Sequence, residues 1–204
     1  MSNKCLVAAL FLSLASVAAS PAMADLAVSP AATSHEGGTN LDITAVTIDR
    51  ELERFRAAEV SLRRAMAIAE TLHKGARAAD ISFDGEPTSP VYWVTTVKND
   101  QIWKDAIDAK TGEVSANGTA LSLKELGLED RSNLSALKSV RQDLSDAVLV
   151  AEKSASGKAI SGGLTNEGGK LNFIVVVVSG DDLKQVVLEP PRSRRGGSAR
   201  RRSP

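Results

Sequence analysis

The feature that most constrains the fold is a stretch of sequence that occurs twice. Residues 92–108 (YWVTTVKNDQIWKDAID) align with residues 173–189 (FIVVVVSGDDLKQVVLE), 81 positions later. The first copy reads as a strand, a reversal and a returning strand over Val91–Val97, Lys98–Gln101 and Ile102–Ile107. Because Asn99-Asp100 in this reversal align with Gly180-Asp181, both copies are predicted to form a β-hairpin.

The duplication extends upstream into an amphipathic helix. Apolar residues recur at spacings of three and four over Leu52–Leu72, which predicts one buried helical face. The pattern returns 82 residues later over Leu134–Glu152, which is read as a single helix. Ser61 is a candidate N-cap that would restart the first helix, and Gly75, with Gly157 as its counterpart, ends the pattern. The sequence therefore predicts an α+β fold of two repeats, each an amphipathic helix packed on a small antiparallel β-sheet.

Local signals predict the remaining elements. Leu41–Ile48 and Arg77–Phe83 are predicted strands, and Asp84–Pro90 holds the glycine and prolines of a loop. The run Asp108–Gly112 predicts a tight turn, because Asp bonds its own backbone two residues on and Gly adopts positive φ without steric clash. Asp108 is therefore assigned a turn-capping role in preference to that of a metal ligand.

The N-terminus has the pattern of a signal peptide. Lys4 is followed by the mostly apolar run Cys5–Ala19, which is too short to span a bilayer comfortably. Ala22-Met23-Ala24 fits the small-x-small cleavage pattern and predicts a mature chain that starts at Asp25, after Ala24, in the periplasm or outside the cell. A retained membrane anchor is the alternative; after cleavage no transmembrane segment is expected. The predicted organisation is a signal peptide (1–24), a flexible lead-in (25–40), a first repeat (41–114), a charged connector (115–132), a second repeat (133–190) and a basic disordered tail (191–204).

The composition of the mature chain argues against several kinds of catalytic and metal-binding chemistry. The only cysteine, Cys5, lies in the signal peptide, so the mature chain has no thiol for disulfides, nucleophilic catalysis or zinc. Of the two histidines, His35 lies in the lead-in and His73 near a helix end, and neither has a neighbouring acid–base or metal set. The glycine pairs Gly162-Gly163 and Gly168-Gly169 lack the context of a phosphate loop. No catalytic, metal or cofactor site is expected, and the chain is not expected to be an enzyme.

Charge is distributed unevenly along a chain whose formal net charge is zero. Residues 25–190 carry 18 basic and 25 acidic side chains, whereas residues 191–204 carry six arginines and no acid. An acidic folded part does not suggest specific nucleic-acid binding. The tail has three open interpretations: it binds anionic lipid or envelope polymers, it binds nucleic acid, or it is an adventitious extension.

Several of these motifs together resemble the PepSY family. The resemblance rests on the helix segment Ala65–Glu70, on Gly75, on the strand Tyr92–Val94, and above all on Ile107–Val114 (IDAKTGEV). The second copy departs where Glu189-Pro190-Pro191 replaces the turn. The resemblance implies an exported, non-catalytic module for which peptidase inhibition or assistance in folding has been proposed, and it implies no catalytic residues.

The predicted function is accordingly a non-enzymatic binding or regulatory module that modulates a secreted peptidase. The alternative is an envelope sensor or scaffold that binds a small ligand or a membrane protein. Trp103 should pair across the first hairpin with Thr96, and its counterpart is Lys184, so it is a candidate partner contact; packing at the sheet edge is the other interpretation. Glu70 and Glu152, at equivalent edges of the two helices, are expected to be solvated.

The second repeat carries apolar side chains on both faces of its hairpin. The run Phe173–Val178 is continuous, so Phe173 and Val175 point to one face and Ile174 and Val176 to the other. One helix covers only one face of a sheet. The sequence therefore predicts a cover for the second face, supplied either by the first repeat or by a second copy of the chain in a homodimer.

Overall fold

The computed structural model describes residues 39–138, 140–167 and 170–191. The predicted signal peptide and its cleavage site at Ala24 and Asp25, His35, and the arginines of the tail lie outside these ranges. The elements in chain order are α1 (Thr39–Arg56), α2 (Leu62–Leu72), β1 (Arg77–Asp84), β2 (Val91–Lys98), β3 (Gln101–Asp108), β4 (Val114–Ala116), β5 (Leu121–Ser122), a 3-10 turn (Leu123–Glu125), α3 (Leu128–Leu137), α4 (Leu144–Ala155), β6 (Lys158–Glu167), β7 (Lys170–Ser179) and β8 (Asp182–Leu188).

The strand predicted over Leu41–Ile48 is wrong, because these residues belong to α1. Ile48 packs against the same core as Leu52 and Phe55, and the spacings of four and three place all three on one helical face. The β-branched residues in this stretch are only a weak signal, which the apolar periodicity of the helix overrides.

The predicted α+β fold is confirmed, with the strands joined in one sheet. The order is β4-β3-β2-β1-β6-β7-β8, with β5 also paired to β3, and every pairing is antiparallel. The repeats meet where β1 pairs with β6, and Ile81 lies opposite Gly162. These two residues are equivalent positions of the duplication. Antiparallel pairing of a position with its own equivalent relates the repeats by a pseudo-two-fold axis.

A second sign of this symmetry is an exchange of contacts between the repeats. Arg56, at the end of α1, binds Asp181 at the tip of the second hairpin, with Nη2 2.8 Å from Oδ1. Lys138, its equivalent after α3, binds Asp100 at the tip of the first hairpin at 3.0 Å. Exposed pairs of this kind contribute little energy, so their value here is as markers of equivalent geometry.

Each repeat contains two helices. The single helix predicted over Leu134–Glu152 is wrong, because α3 ends at Leu137 and α4 begins at Leu144. Ser61 is the N-cap of α2 as predicted, and its hydroxyl accepts from the N–H of Arg64. Asp143 is the N-cap of α4 at the equivalent position. The apolar face continues on both sides of each interruption, so periodicity alone does not reveal it. The stretch predicted as a connector holds β5, the 3-10 turn and the start of α3.

The helices α2 and α4 pack on one face of the sheet, which is the centre of the core. In the first repeat this face presents Tyr92, Val94 and Ile107, and in the second it presents Phe173, Val175 and Val177, all buried. On the opposite face of the second repeat the first repeat provides no cover, and cover by a second copy of the chain stays a prediction. Leu183 and Val187 are 45% and 51% exposed there. Because the repeats lie edge to edge in one sheet, the first repeat does not stack on the second.

Positive φ angles identify the tight reversals. Asn99 and Gly180 occupy equivalent hairpin positions with φ of 55° and 61°, which confirms the predicted alignment of the tips. Gly75 has φ of 83° after α2. The sequence predicted Gly157 as the counterpart of Gly75, but this is wrong: the residue with positive φ after α4 is Ser156 (φ 54°). Gly157 is required for another reason: a Cβ there would lie 2.1 Å from the Val178 carbonyl oxygen.

Candidate functional site

The turn after β3 is organised by the Asp108 carboxylate, as predicted. Its Oδ1 accepts from the backbone N–H groups of Lys110 and Thr111, both at 2.8 Å, and the Ser89 hydroxyl donates to Oδ2. The hydrogen bonds from Ser89 and Thr111 lower the pKa of Asp108 to about 2. Gly112 completes the turn with φ of 77°, and the chain returns as β4 against β3.

Replacing Asp108 with alanine should lower the free energy of unfolding by about 2 kcal/mol at neutral pH, because charge-assisted bonds to the turn are lost. Since the pKa of Asp108 is depressed in the folded state, its contribution is present above about pH 4 and disappears as pH falls through 2. Urea denaturation at pH 7 and at pH 2 measures both effects. Lys110→Ala, which keeps the backbone donors, is the control. A D108A variant that loses as much stability at pH 2 as at pH 7 would contradict this account.

The return of the chain covers the outer edge of the first repeat. Strand β3 pairs on that side with β4 near Ile107 and with β5 near Ile102. As a result Ile102 and Ala106 are only 4% and 2% exposed. The first repeat is therefore closed at this edge by segments of its own chain.

The outer edge of the second repeat has no neighbouring strand in the part of the chain that the structure describes. Among the described residues, β8 pairs only with β7. At the position of the Asp108 turn stands Glu189-Pro190-Pro191, and proline provides neither the backbone donor nor the φ freedom that a return strand needs. Leu183 and Val187, the equivalents of Ile102 and Ala106, are consequently exposed. We call the strand Asp182–Leu188, with its unpaired side, the β8 edge.

Apolar side chains continue from the β8 edge onto the neighbouring strand. Ile174 pairs with Val187 and Val176 with Gln185, and both β7 side chains are half-buried on the face that carries Leu183. Natural edge strands are usually protected by charge or proline. Lys184 is the charged residue nearest the middle of the strand, and its Nζ reaches Ser179 Oγ at 3.1 Å. The exposed face of the β8 edge therefore presents Leu183 and Val187 on either side of the exposed Gln185, beside a backbone that is unpaired among the described residues.

The structure brings His73, Trp103 and Asp105 together in the first repeat. His73 Nε2 lies 2.9 Å from Asp105 Oδ2, and its ring stacks on Trp103 with centroids 4.5 Å apart. Asp105 is fully buried, and its Oδ1 accepts from the N–H of Gly118. Sequence reasoning missed this pair because 32 residues separate its members. These contacts join the end of α2 to β3 and to the segment after β4. The cluster contains no nucleophilic side chain among the described residues.

Trp103 is half-buried and pairs with Thr96 as the hairpin alignment predicts. Its equivalent, Lys184, lies near the carbonyl of Ala155, at the end of α4, with Nζ 3.5 Å from that oxygen. The two repeats thus close the same helix–strand junction in different ways. Stacking on His73 accounts for part of the indole surface, and the assignment of Trp103 as a partner contact stays a prediction.

Comparison with protein-family models matches residues 59–116 to PepSY, described as "Peptidase propeptide and YPEB domain". The chain contains a PepSY domain. The match runs from the junction before α2 to the end of β4, so it includes the Asp108 turn and the covered edge of β3. The relation of the second repeat to the PepSY domain rests on the internal alignment and on the shared geometry.

One solved structure is similar to part of the chain: a candidate lipoprotein from Clostridium difficile 630. The identity is 19%, the TM-score is 0.39, and the similarity covers 65% of this chain and 88% of the other. The comparison with curated proteins gave no match. Within residues 39–138, 140–167 and 170–191, no helix combines the length and the apolar composition that crossing a membrane requires.

Glu70 in the PepSY domain and Glu152 in the second repeat were expected to be solvated, but each binds a backbone N–H group. Glu70 accepts a hydrogen bond from the N–H of Ala78 at 2.8 Å, and Glu152 does the same for Ala159 at 3.0 Å in the second repeat. The next residue along each strand, Ala79 or Ile160, is a bulge at which the strand register shifts. A bulge disturbs the ladder, and the glutamates bind backbone donors beside it. The sequence signal for this role is that a glutamate precedes the following strand by a similar number of residues in both copies.

Three or more metal-binding side chains do not cluster anywhere in the part of the chain that the structure describes. The His73–Asp105 pair has no third ligand there. Within residues 39–138, 140–167 and 170–191, the β8 edge is the place where backbone hydrogen-bonding groups stay unpaired over a whole strand.

Proposed function

We propose that the chain is an exported, non-enzymatic binding module that takes an extended peptide segment of a partner protein along the β8 edge. The proposal rests on a comparison of the two repeats. Strand β3 is covered by β4 and β5, whereas its equivalent, β8, has no second neighbour among the described residues. The first repeat shows how such an edge is closed, and the partner would close the second repeat in the same way.

The chemistry of the partner follows from the surface. An added strand gains affinity from main-chain hydrogen bonds, and specificity comes from its alternate side chains. One set of alternate side chains would lie over Leu183 and Val187, so it should be apolar. In the first repeat Leu121 of β5 occupies this position opposite Ile102.

Export and partner class rest on other observations. The residue pattern of positions 1–24 supports export, and the PepSY match supports a role beside a peptidase, because the family description itself refers to peptidase propeptides. The absence of catalysis is supported by the use of His73 and Asp105 in a packed, hydrogen-bonded junction. We therefore name a secreted peptidase as the partner class.

The test uses a double variant, Leu183→Lys with Val187→Lys, which keeps exposed positions exposed but places charge along the edge. Peptides selected by display against the mature chain should protect the backbone amides of β8 from hydrogen exchange. Their affinity for the double variant should fall by about tenfold or more. Leu128→Lys, at a position 83% exposed, is the matched control and should bind as the parent does. Peptides that bind the double variant equally well would refute the site.

The partner class is tested separately with a purified thermolysin-like peptidase. The parent and L128K chains should inhibit it, and the double variant should inhibit it less, with Trp103→Ala deciding whether the indole also contributes. Peptide binding at β8 without inhibition of the peptidase would retain the site and reject this partner class.

An alternative function, an envelope sensor or scaffold that binds a small ligand, is favoured by one cavity. It measures about 280 Å³ and is lined by residues of β1, β2, β3, β5, β6 and α3. Asp80, Lys104 and Asp130 line it among apolar residues. This alternative gains support if the double variant keeps every binding activity of the parent while Asp80→Leu loses it.

A further inference from the structure

Arg77 fills the junction between α3 and α4 in the second repeat. Its Nη1 donates to the carbonyls of Leu137 and Val140, both at 2.9 Å, and its Nη2 to that of Gln142 at 2.8 Å. Its Nε binds Asp143 Oδ1 at 2.8 Å. Arg77 belongs to β1 of the first repeat, so this guanidinium holds one repeat to the other by a set of directed bonds that only its planar fork can provide.

The pseudo-two-fold axis places Lys158 at the position equivalent to Arg77, opposite the junction between α1 and α2. Lys158 is exposed, and its side chain forms no hydrogen bond or ion pair within the described residues. The space beside it is a cavity of about 280 Å³. We call this the junction cavity.

The walls of the junction cavity repeat the surroundings of Arg77 with one difference: the Val60 carbonyl already accepts from the Tyr92 hydroxyl at 2.8 Å, and the second repeat has Phe173 at that position. Ala58, Val60 and Ser61 line it, and they are the equivalents of Val140, Gln142 and Asp143, which bind the Arg77 guanidinium. The cavity therefore lies where the pseudo-two-fold axis would place a guanidinium group. Strand β6 has a lysine at that position in place of an arginine. A lysine is a poor replacement, because its ammonium cannot address several carbonyl groups in one plane.

The cavity also has the charge that a cation requires. Two acidic residues, Glu59 and Glu152, are among those that line it. Burial raises the pKa of Tyr92, which lies in the same wall, to about 12, and the Glu152 carboxylate adds to the rise. Glu59 stands where the second repeat has Arg141, so the first junction is more acidic than the one that already holds an arginine.

We propose that the junction cavity binds the guanidinium group of an arginine side chain supplied by the partner. This deepens the proposed function and rests on it only for the existence of a partner. Lys158 pairs with Val178, and Val178 pairs with Leu183 of the β8 edge. Two strand spacings, about 10 Å, separate the two positions, so one partner segment can engage both.

The experiment uses Tyr92 as a built-in reporter, since it is the only tyrosine in the chain and lines the cavity. Fluorotyrosine incorporation gives a single fluorine NMR signal. Acetyl-arginine-amide should shift this signal saturably, and acetyl-lysine-amide should bind about tenfold more weakly or worse. Equal responses to the two amides would overturn the proposal.

Variants at position 158 supply the matched test. Lys158→Arg should fill the cavity from within, remove the response to acetyl-arginine-amide and raise the melting temperature, and adding Ser61→Asp should strengthen both effects. Lys158→Ala should keep the response. Unchanged arginine binding in K158R would overturn the site. A response that appears only after residues 192–204 are removed would overturn the partner assignment, because the chain's own arginines would then occupy the cavity.

The Leu183→Lys and Val187→Lys double variant separates this proposal from the previous one. It should respond to acetyl-arginine-amide as the parent does, since the small amide does not need the β8 edge. Failure of peptide binding at β8 together with a normal arginine response would refute the edge site and retain the cavity. The reverse result would refute the cavity alone.

Discussion

Val175→Lys should lower the free energy of unfolding by about 3 kcal/mol or more, which is a large share of the stability of a domain of this size. Val175 is completely buried, and it pairs with Gly162 of β6, against which Val148 and Leu144 of α4 pack. A lysine at this position would place its ammonium in the buried apolar core between sheet and helix. Urea denaturation of the purified variant measures the loss.

Val176→Lys is the matched variant on the other face of the same strand. Val176 is half-buried beside Ser161 and Gln185, so the lysine can extend into solvent and the change should stay within about 1 kcal/mol. In the first repeat Val94→Lys and Thr95→Lys should divide in the same way. If V176K is as destabilising as V175K, and the loss depends on protein concentration, the exposed face is covered by a second copy of the chain.

Arg77→Ala should lower the free energy of unfolding by about 3 kcal/mol. The change removes four hydrogen bonds and leaves Asp143 and three carbonyl groups of the α3–α4 junction without their donor. The loss is smaller than the sum over four separate bonds, because bonds made by one group are not additive. Arg77→Lys should recover only part of it, since the ammonium keeps the charge without the fork.

Lys158→Ala is the control for Arg77, because it removes a basic side chain from the equivalent position where no bond is made. It should change stability by less than about 0.5 kcal/mol. Thermal and urea denaturation of R77A, R77K and K158A test whether the two equivalent positions contribute unequally to stability. Equal losses for R77A and K158A would show that the equivalent positions carry equal energy, which would refute the asymmetry on which the junction cavity depends.

The elements that sequence reasoning identified correctly are those fixed by neighbours along the chain. The hairpins follow from β-branched runs around Asn99 and Gly180, and the Asp108 turn follows from a carboxylate placed two and three residues before the donors it binds. The Ser61 cap is equally local. Even the duplication is a pattern within the sequence, so it establishes two similar units and an α+β fold without any knowledge of how they meet.

The interruption of the second helical run shows the limit of local signals. Periodicity over Leu134–Glu152 is continuous, yet the chain breaks between α3 and α4, and the carbonyls freed there bind Arg77 from the other repeat. Leu41–Ile48 shows the reverse case, in which residues with a strand-like composition join a helix whose apolar face extends to Ile48.

What the sequence by itself determined is therefore the kind of unit, its turns and its repetition. Only the tertiary structure decided that the two repeats join at Ile81 and Gly162, that His73 meets Asp105, that β8 has one neighbour among the described strands, and that a cavity lies beside Lys158. The physical reason is the range of the interactions. Turns and caps depend on hydrogen bonds between near neighbours, whereas these pairings join ordinary residues far apart in the chain, whose proximity arises from packing the whole sheet.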